Sequence, residues 1–339
     1  KCEVKKVPKL CESEIEKMAI EELVELGYTY LSGPDIAPDT PFAERRSYSE
    51  VLLKKRLTDA VVRLNPGLPY DVVLEAVNKV SRISSSNLIA DNEVFHKMLV
   101  DGVPVEYRKN GEIVGDYVRL VDFSEEGTDN NEFLVVNQYT VIENNNNKRP
   151  DILLFINGIP MVLFELKNPA DENATIRKAY DQICTYKATI PSLFTYNEIC
   201  VISDGLEAKA GSLTAPFSRF STWKTKDGIN EASQFEDQLT TLIHGLCNKK
   251  TLLDYIRNFV TFEKSKTEDK KTKIIKVETV KKIAAYHQYY AVNKAVKSTI
   301  EAAKAGGSKK AGVIWHTQGS GKSLSMVFYA GKLVQTLNN

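Results

Sequence analysis

The chain is poor in the residues that build metal cages and disulfide frameworks. Its five cysteines, Cys2, Cys11, Cys184, Cys200 and Cys247, are odd in number and include no Cys-x-x-Cys pair. That argues against a disulfide scaffold or a cysteine zinc site and points to a reducing compartment. The four histidines, His96, His244, His287 and His316, show no ligand spacing and read as structural. There is no signal peptide and no apolar run long enough to span a bilayer, so a cytoplasmic protein without a membrane role is expected. An excess of one charge is missing too. Lys and Arg number 45 against 44 Asp and Glu, a net +1, so any surface that holds nucleic acid must be a local patch.

What is present is ordinary globular material, 42% hydrophobic and 26% charged over 339 residues, enough for a sizeable core and two domains. Chemistry is concentrated in two apolar runs. Arg149-Pro150-Asp151 opens Ile152-Leu153-Leu154-Phe155, and Met161-Val162-Leu163-Phe164 ends on Glu165-Leu166-Lys167. Asn157-Gly158-Ile159-Pro160 lies between them as a turn, so a hairpin is expected with the charges at one end. Side chains alternate along a strand, which puts Glu165 and Lys167 on one face. A plain two-residue turn would pair Asp151 with Phe164 and point it away. A three-residue or bulged turn would bring it to Glu165 or Lys167.

Two carboxylates, a backbone carbonyl such as that of Leu166, and waters make a hard oxygen site suited to Mg²⁺. Lys167 beside it can orient an attacking water or neutralise developing charge. The competing reading is a strand-capping Asp151 with a solvated Glu165/Lys167 pair. The apolar surroundings favour the first, because unpaired charge at a sheet centre is costly.

Downstream, Thr175 to Tyr186 reads as a helix that places Gln182 and Tyr186 four residues apart on one face. After an Asp…Glu-x-Lys hairpin, this resembles the Gln-x-x-x-Tyr element of the PD-(D/E)XK nucleases of the RecB-like group. The resemblance implies Mg²⁺ held by Asp151 and Glu165, Lys167 assisting the water, and Gln182 with Tyr186 supporting the site or the DNA. An acidic residue on the first helix often completes such sites, and Glu16 is the candidate here; it can equally be a solvent-facing helix glutamate.

A second signature follows Gly306-Gly307. Ala311-Gly-Val-Ile-Trp315 reads as a short strand, His316-Thr-Gln-Gly-Ser-Gly-Lys-Ser323 as a phosphate loop, and Leu324 to Ala330 as a helix. Thr317, Gly319, Ser320, Gly321, Lys322 and Ser323 are the candidate ATP-binding residues, with Lys322 for the β/γ-phosphates and Ser323 for Mg²⁺. His316 stands where the generic pattern has its first glycine, a departure that fits the superfamily 2 helicase version. Gln288, about thirty residues upstream, resembles the adenine-reading glutamine of those motors, since an amide can pair bidentately with adenine.

The remaining elements are expected as follows. Helices cover Glu12 to Leu26, Ser47 to Leu64, Tyr70 to Val80 and Phe235 to Phe262; strands cover Val103 to Arg108, Gly115 to Phe123, Phe133 to Ile142, Glu198 to Gly205 and Phe220 to Lys224. Lys264 to Lys273 reads as an exposed charged linker. The chain begins without Met and ends soon after the phosphate loop, and so reads as a fragment.

A PD-(D/E)XK nuclease followed by a superfamily 2 motor resembles the restriction (R) subunit of type I restriction–modification enzymes. The resemblance implies an α/β architecture, a central mixed sheet with flanking helices followed by the start of a RecA-like domain. The corresponding boundaries are 1–230 for the nuclease, 231–275 for a helical segment and linker, and 276–339 for the truncated motor. It also implies Mg²⁺ and ATP as cofactors, double-stranded DNA as substrate, and methylation (M) and specificity (S) subunits as partners. Two alternatives stay open: a stand-alone repair or defence nuclease with a fused motor, and an ATP-binding DNA-docking module that does not cut. Lys54-Lys55-Arg56 and Arg177-Lys178 are candidate DNA contacts.

Overall fold

Runs of β-branched and aromatic residues form the centre of the molecule, and every residue of the two chemistry-bearing strands is buried. The computed structural model describes residues 12–168, 175–233, 236–268 and 275–338. Cys2, Cys11, Phe235 and the lysines at 270, 271 and 273 lie outside the described residues.

Helix α1 (Glu12–Glu25) buries Ile15, Ala19 and Leu23 at helical spacing and gives way to Gly27 at φ 87°. Strand β1 (Thr29–Ser32) follows, then α2 (Lys54–Leu64), α3 (Tyr70–Ser81) and α4 (Leu88–Asp101), the last capped by Asn87. Strands β2 (Val103–Lys109) and β3 (Glu112–Val118) form a hairpin on Asn110-Gly111, both at positive φ. A short α5 (Gly127–Asn130) leads to β4 (Phe133–Asn137), the small hairpin β5 (Val141–Glu143) and β6 (Asn146–Lys148), then β7 (Ile152–Ile156) and β8 (Ile159–Leu166).

The chain continues through α6 (Ile176–Thr189), α7 (Pro191–Phe194), β9 (Ile199–Ser203), β10 (Ala208–Gly211), α8 (Gln238–Leu246) and α9 (Lys249–Asn258). A ribbon of β11 (Val260–Glu268) and β12 (Ile275–Ile283) precedes α10 (Tyr286–Ala303) and α11 (Lys322–Asn338).

Six strands make one mixed sheet in the order β1-β4-β7-β8-β9-β10. Pairs β1/β4 and β8/β9 are parallel and the rest antiparallel. Helix α1 packs on β1, β4 and β8, and α6 on β8 and β9. Both helices therefore meet the strand that carries Glu165. Phe155 and Phe164 are fully buried in this core, each contributing about 1.5–3 kcal/mol by removal from water.

Several expected elements come out differently. The helix expected from Ser47 begins only at Lys54: residues 47–50 form a turn closed by the Glu50 N–H on the Ser47 carbonyl, and the Leu53 N–H donates to the Gly158 carbonyl at 2.9 Å instead of to a helical partner. The charged run expected as a linker is, over its described part, strand β11, where Lys264 pairs with Glu93 at 2.7 Å. The strand expected at Phe220 to Lys224 reduces to one bridge, Ser221 to Ala210. Trp223 instead packs among Tyr255, Tyr286, Tyr289 and Tyr290. Residues 311–315 are not a strand. Among the described residues no strand lies beside them to complete a ladder, and Val313 and Trp315 are exposed.

Candidate active site

The β7–β8 turn settles the register on which the carboxylate pair depends. Asn157 and Gly158, at φ 51° and 78°, make a two-residue loop between Ile156 and Ile159. Phe155 then faces Pro160 but Leu154 faces Val162, so Met161 is an extra residue, a bulge. Beyond it Ile152 faces Phe164, and the next step sets Asp151 across from Glu165. The turn is thus of the bulged kind that the carboxylate pair requires. It is anchored from both sides: the buried Asn157 amide donates to the Leu120 carbonyl and to Asn131 Oδ1, at 3.0 and 2.8 Å.

Asp151 and Glu165 are both buried, at 7% and 1% exposure. Asp151 Oδ2 accepts the Leu166 N–H at 2.7 Å. Lys167 Nζ donates to Glu165 Oε1 at 2.6 Å and to the Leu166 carbonyl at 3.0 Å. Glu165 Oε2 is buried with no hydrogen-bond partner. Burial first, then the neighbouring Asp151, pushes the Glu165 carboxyl up to about 8. Burial likewise pushes Asp151 up to about 6, against the pull of the Leu166 N–H and Lys167. For Lys167 burial works against its charge, but Glu165, Asp151 and Glu12 outweigh that and hold it above the ordinary lysine range.

Two carboxyl groups kept from ionising side by side, with an orphaned oxygen between protein walls, are a donor set that a hard divalent cation would satisfy. The residues present fit Mg²⁺.

Helix α6 brings Tyr186 to the same place. Its hydroxyl donates to the Arg149 carbonyl at 3.4 Å, and Gln182 is a side-chain hydrogen-bond partner of the phenol. Burial, then the charges of Glu165 and Asp151, hold Tyr186 far above its usual range, so it stays protonated. Glu16 faces the site from α1, but both its oxygens are taken: Asn137 Nδ2 and Gln138 Nε2 each donate to it at 2.6 Å. Glu12, one turn earlier, lies 3.8 Å from Lys167 Nζ. One further group of possible ligand atoms comes together among the described residues, Glu22, Glu25 and His244. There His244 Nε2 and Glu22 Oε2 lie 2.5 Å apart.

The candidate DNA-contacting cations are mostly engaged. Lys54 pairs with Glu50, Lys55 with Asp59, Arg56 with Glu44 and Glu132, and Arg177 with Asp181. Lys178 is exposed.

The structure also gathers Gln288 and the phosphate loop. Gln288, buried near the start of α10, accepts the Ala285 N–H at 2.8 Å and donates to the Gly321 carbonyl at 3.0 Å. Gly319 and Gly321 sit at φ 81° and 79°, and a Cβ on Gly321 would stand 2.6 Å from Gln288 Nε2. Lys322 and Ser323 open α11, while the Lys322 ammonium folds back on the carbonyls of His316 and Thr317 at 3.0 and 3.1 Å. Glycine conformation, helix N-terminus and lysine are the parts a phosphate cradle needs.

Residues 9–219 match the family model described as type I restriction enzyme R protein N terminus (HSDR_N). The chain belongs to this family. Residues 287–339 match a second model, SWI2/SNF2 ATPase. The chain is 45% identical over 328 residues to the type I restriction enzyme HindI endonuclease subunit of Haemophilus influenzae, covering 96% of the chain and 30% of that protein. It is 34% identical over 343 residues to the putative type I restriction enzyme MjaIXP endonuclease subunit of Methanocaldococcus jannaschii, at 95% and 31% coverage. This R-protein chain therefore spans about 30% of the length of these relatives.

Sequence reasoning missed four of the residues around the R-protein carboxylates. Glu12 lies beside Lys167, Asn137 and Gln138 hold Glu16, and Tyr30 donates to Asn137 Oδ1 at 3.0 Å. A signal was available for Glu12, which stands four residues before Glu16 on the same helical face. Gln138 carries none, because its place depends on a left-handed backbone at φ 51°.

Proposed function

We propose that this chain is the DNA-cutting region, with the start of the ATP-driven motor, of a type I restriction enzyme R subunit. It is a PD-(D/E)XK-type, Mg²⁺-dependent double-stranded DNA endonuclease that acts with methylation and specificity subunits and cuts unmodified DNA away from the recognition site. The proposed units are a nuclease over 1–230, a connecting segment over 231–275 and the first part of a RecA-like, helicase-type ATPase over 276–339. The observation that carries the reading is the bulged hairpin, which sets buried Asp151 across from buried Glu165 with Lys167 2.6 Å from the latter. The relatives' names support it, since both are called endonuclease subunits.

In this reading Asp151 and Glu165 hold Mg²⁺. When bound, the ion supplies charge stabilisation for the attacked phosphate and a lowered pKa for a bound water. The Leu166 N–H orients Asp151, and Lys167 orients Glu165. The Lys167 ammonium is the cation placed to hold the attacking water and to offset charge that develops on the phosphate. Tyr186 and Gln182 brace the carboxylates from α6. Glu16, held by two amides, is placed as the third acid near the metal rather than as a free ligand. Thr317, Gly319, Ser320, Gly321, Lys322 and Ser323 would cradle the ATP phosphates, and Gln288 would read the adenine once its amide exchanges the Ala285 N–H and the Gly321 carbonyl for the base.

The test is plasmid cleavage by the complete subunit complex, wild type against Lys167→Ala. Loss of about 10²–10³ in cleavage rate is expected, the scale of removing one preorganised electrostatic group. ATP hydrolysis should be retained. Equal cleavage would remove the nuclease assignment and leave an ATP-binding DNA-docking module.

A further inference from the structure

The Met161 bulge is tied to a buried charge that no part of the proposed chemistry uses. The Met161 carbonyl accepts the Glu198 N–H at 2.7 Å and Asn197 Nδ2 at 3.4 Å. From Glu198 the chain runs into β9, which pairs along β8 with Ile202 beside Glu165. The irregular segment before β9 is held by two side chains. Asn92 of α4 donates to the carbonyls of Phe194, Thr195 and Asn197. Lys281 of β12, its side chain wholly buried, donates to the Asn197 carbonyl at 2.9 Å, to Asn92 Oδ1 at 2.9 Å and to Glu198 Oε2 at 2.7 Å.

Three donors meet three acceptors, so the ammonium is fully satisfied. His96 Nδ1 reaches the same Glu198 oxygen at 3.0 Å, and the Phe262 ring covers both the Lys281 ammonium and His96. The Lys281 backbone is gripped as well: its N–H donates to Thr214 Oγ1, and its carbonyl accepts from Ser212 Oγ at 2.6 Å.

A buried ion pair is seldom the cheapest filling for a core, since apolar residues of similar volume often serve stability as well. What the ammonium does, and a Leu or Met would not, is fix the two residues that satisfy the bulge. We propose that Lys281 is a positioning residue for the Asp151/Glu165 metal site: through Asn197 and Glu198 it holds the Met161 bulge, and the bulge keeps the two carboxylates on one face. Loss of the bulge would slip the pairing by one residue and turn Asp151 to the opposite face. Strand β12 continues into α10, which carries Gln288. This inference rests on the reading of Asp151 and Glu165 as metal ligands.

The experiment is Mn²⁺ binding to the full-length, nucleotide-free R subunit, followed by electron paramagnetic resonance. Glu165→Gln identifies the component due to this site by removing it. Lys281→Met, and Lys281→Met/Glu198→Gln in which no unpaired charge remains, are expected to weaken that component by about 10- to 100-fold, the usual cost of losing an outer-shell support. ATP hydrolysis and, for the double variant, the melting temperature should stay near wild type. Wild-type Mn²⁺ affinity in the double variant would overturn the proposal. If Glu165→Gln itself left Mn²⁺ binding unchanged, the metal-ligand reading would fail first and take this inference with it.

Discussion

Replacing Glu165 by glutamine should stabilise the metal-free protein while destroying its proposed activity, and the size of the gain follows from the burial. Glu165 is 1% exposed with one oxygen unpartnered. Its carboxyl is raised from 4.5 to about 8, which at 1.36 kcal/mol per tenfold change in proton affinity amounts to about 5 kcal/mol. The folded state binds this proton more tightly than the unfolded chain does. Stability is therefore full below the unfolded pKa and falls as pH rises towards 8, where the folded protein must ionise a buried group.

Glutamine carries no such cost. It does leave Lys167 with only Asp151 and Glu12 as counter-charges, so the gain at pH 9 is discounted to about 2 kcal/mol, or roughly 4–8 °C for a unit of this size. At pH 6 the folded carboxyl is protonated but the unfolded one, at its ordinary 4.5, is ionised, so under half of the gain should remain, and it should vanish only below about pH 4.5. Scanning calorimetry of both proteins in EDTA at pH 6 and pH 9 measures the contrast. A glutamine variant that melted at or below wild type at pH 9, or gained equally at both pH values, would refute the reasoning about this buried carboxylate.

Two further outcomes are expected. Because metal binding requires both carboxylates ionised, Mg²⁺ or Mn²⁺ affinity should climb about tenfold per pH unit between about 6 and 8 and level off above, with a steeper fall below 6 as Asp151 also protonates; titration calorimetry across that range should show the break, and a flat profile would mean the two groups are not the ligands. Gly158→Ala places a methyl 2.6 Å from the Leu53 carbonyl at φ 78°, so a loss of about 1–3 kcal/mol is expected, read by urea denaturation, and a neutral result would show that the turn is not held as described.

Much of the site was legible because its chemistry is local. The Asp151…Glu165-Leu-Lys167 spacing, the Asn157-Gly158 turn and the Gln182/Tyr186 face all lie within one hairpin and one helix. The bulge itself was not legible. β7 and β8 are buried on both faces, so no polar alternation marks the register, and only the need to join the carboxylates predicted it.

Long-range contacts explain the misses. The Ser47 helix was overextended because the bond from Leu53 to Gly158 overrides a favourable local pattern. Over the described residues 264–268 the expected linker is instead a strand, because the exposed charges of Lys264 and its neighbours decorate a strand whose Phe262 packs on Lys281 and His96. Nothing in the local sequence singles out Lys281. Its partners Asn92 and Glu198 stand 189 and 83 residues away in sequence, beyond the reach of any periodicity.

The central claim is that Asp151 and Glu165 together hold a divalent metal. Anomalous scattering from crystals of the protein grown with Mn²⁺ tests it most directly. A peak bounded by the Asp151 and Glu165 carboxylates, absent in the Glu165→Gln variant, is the predicted result. Full Mn²⁺ occupancy elsewhere, for instance at Glu22, Glu25 and His244, with none between Asp151 and Glu165, would contradict it.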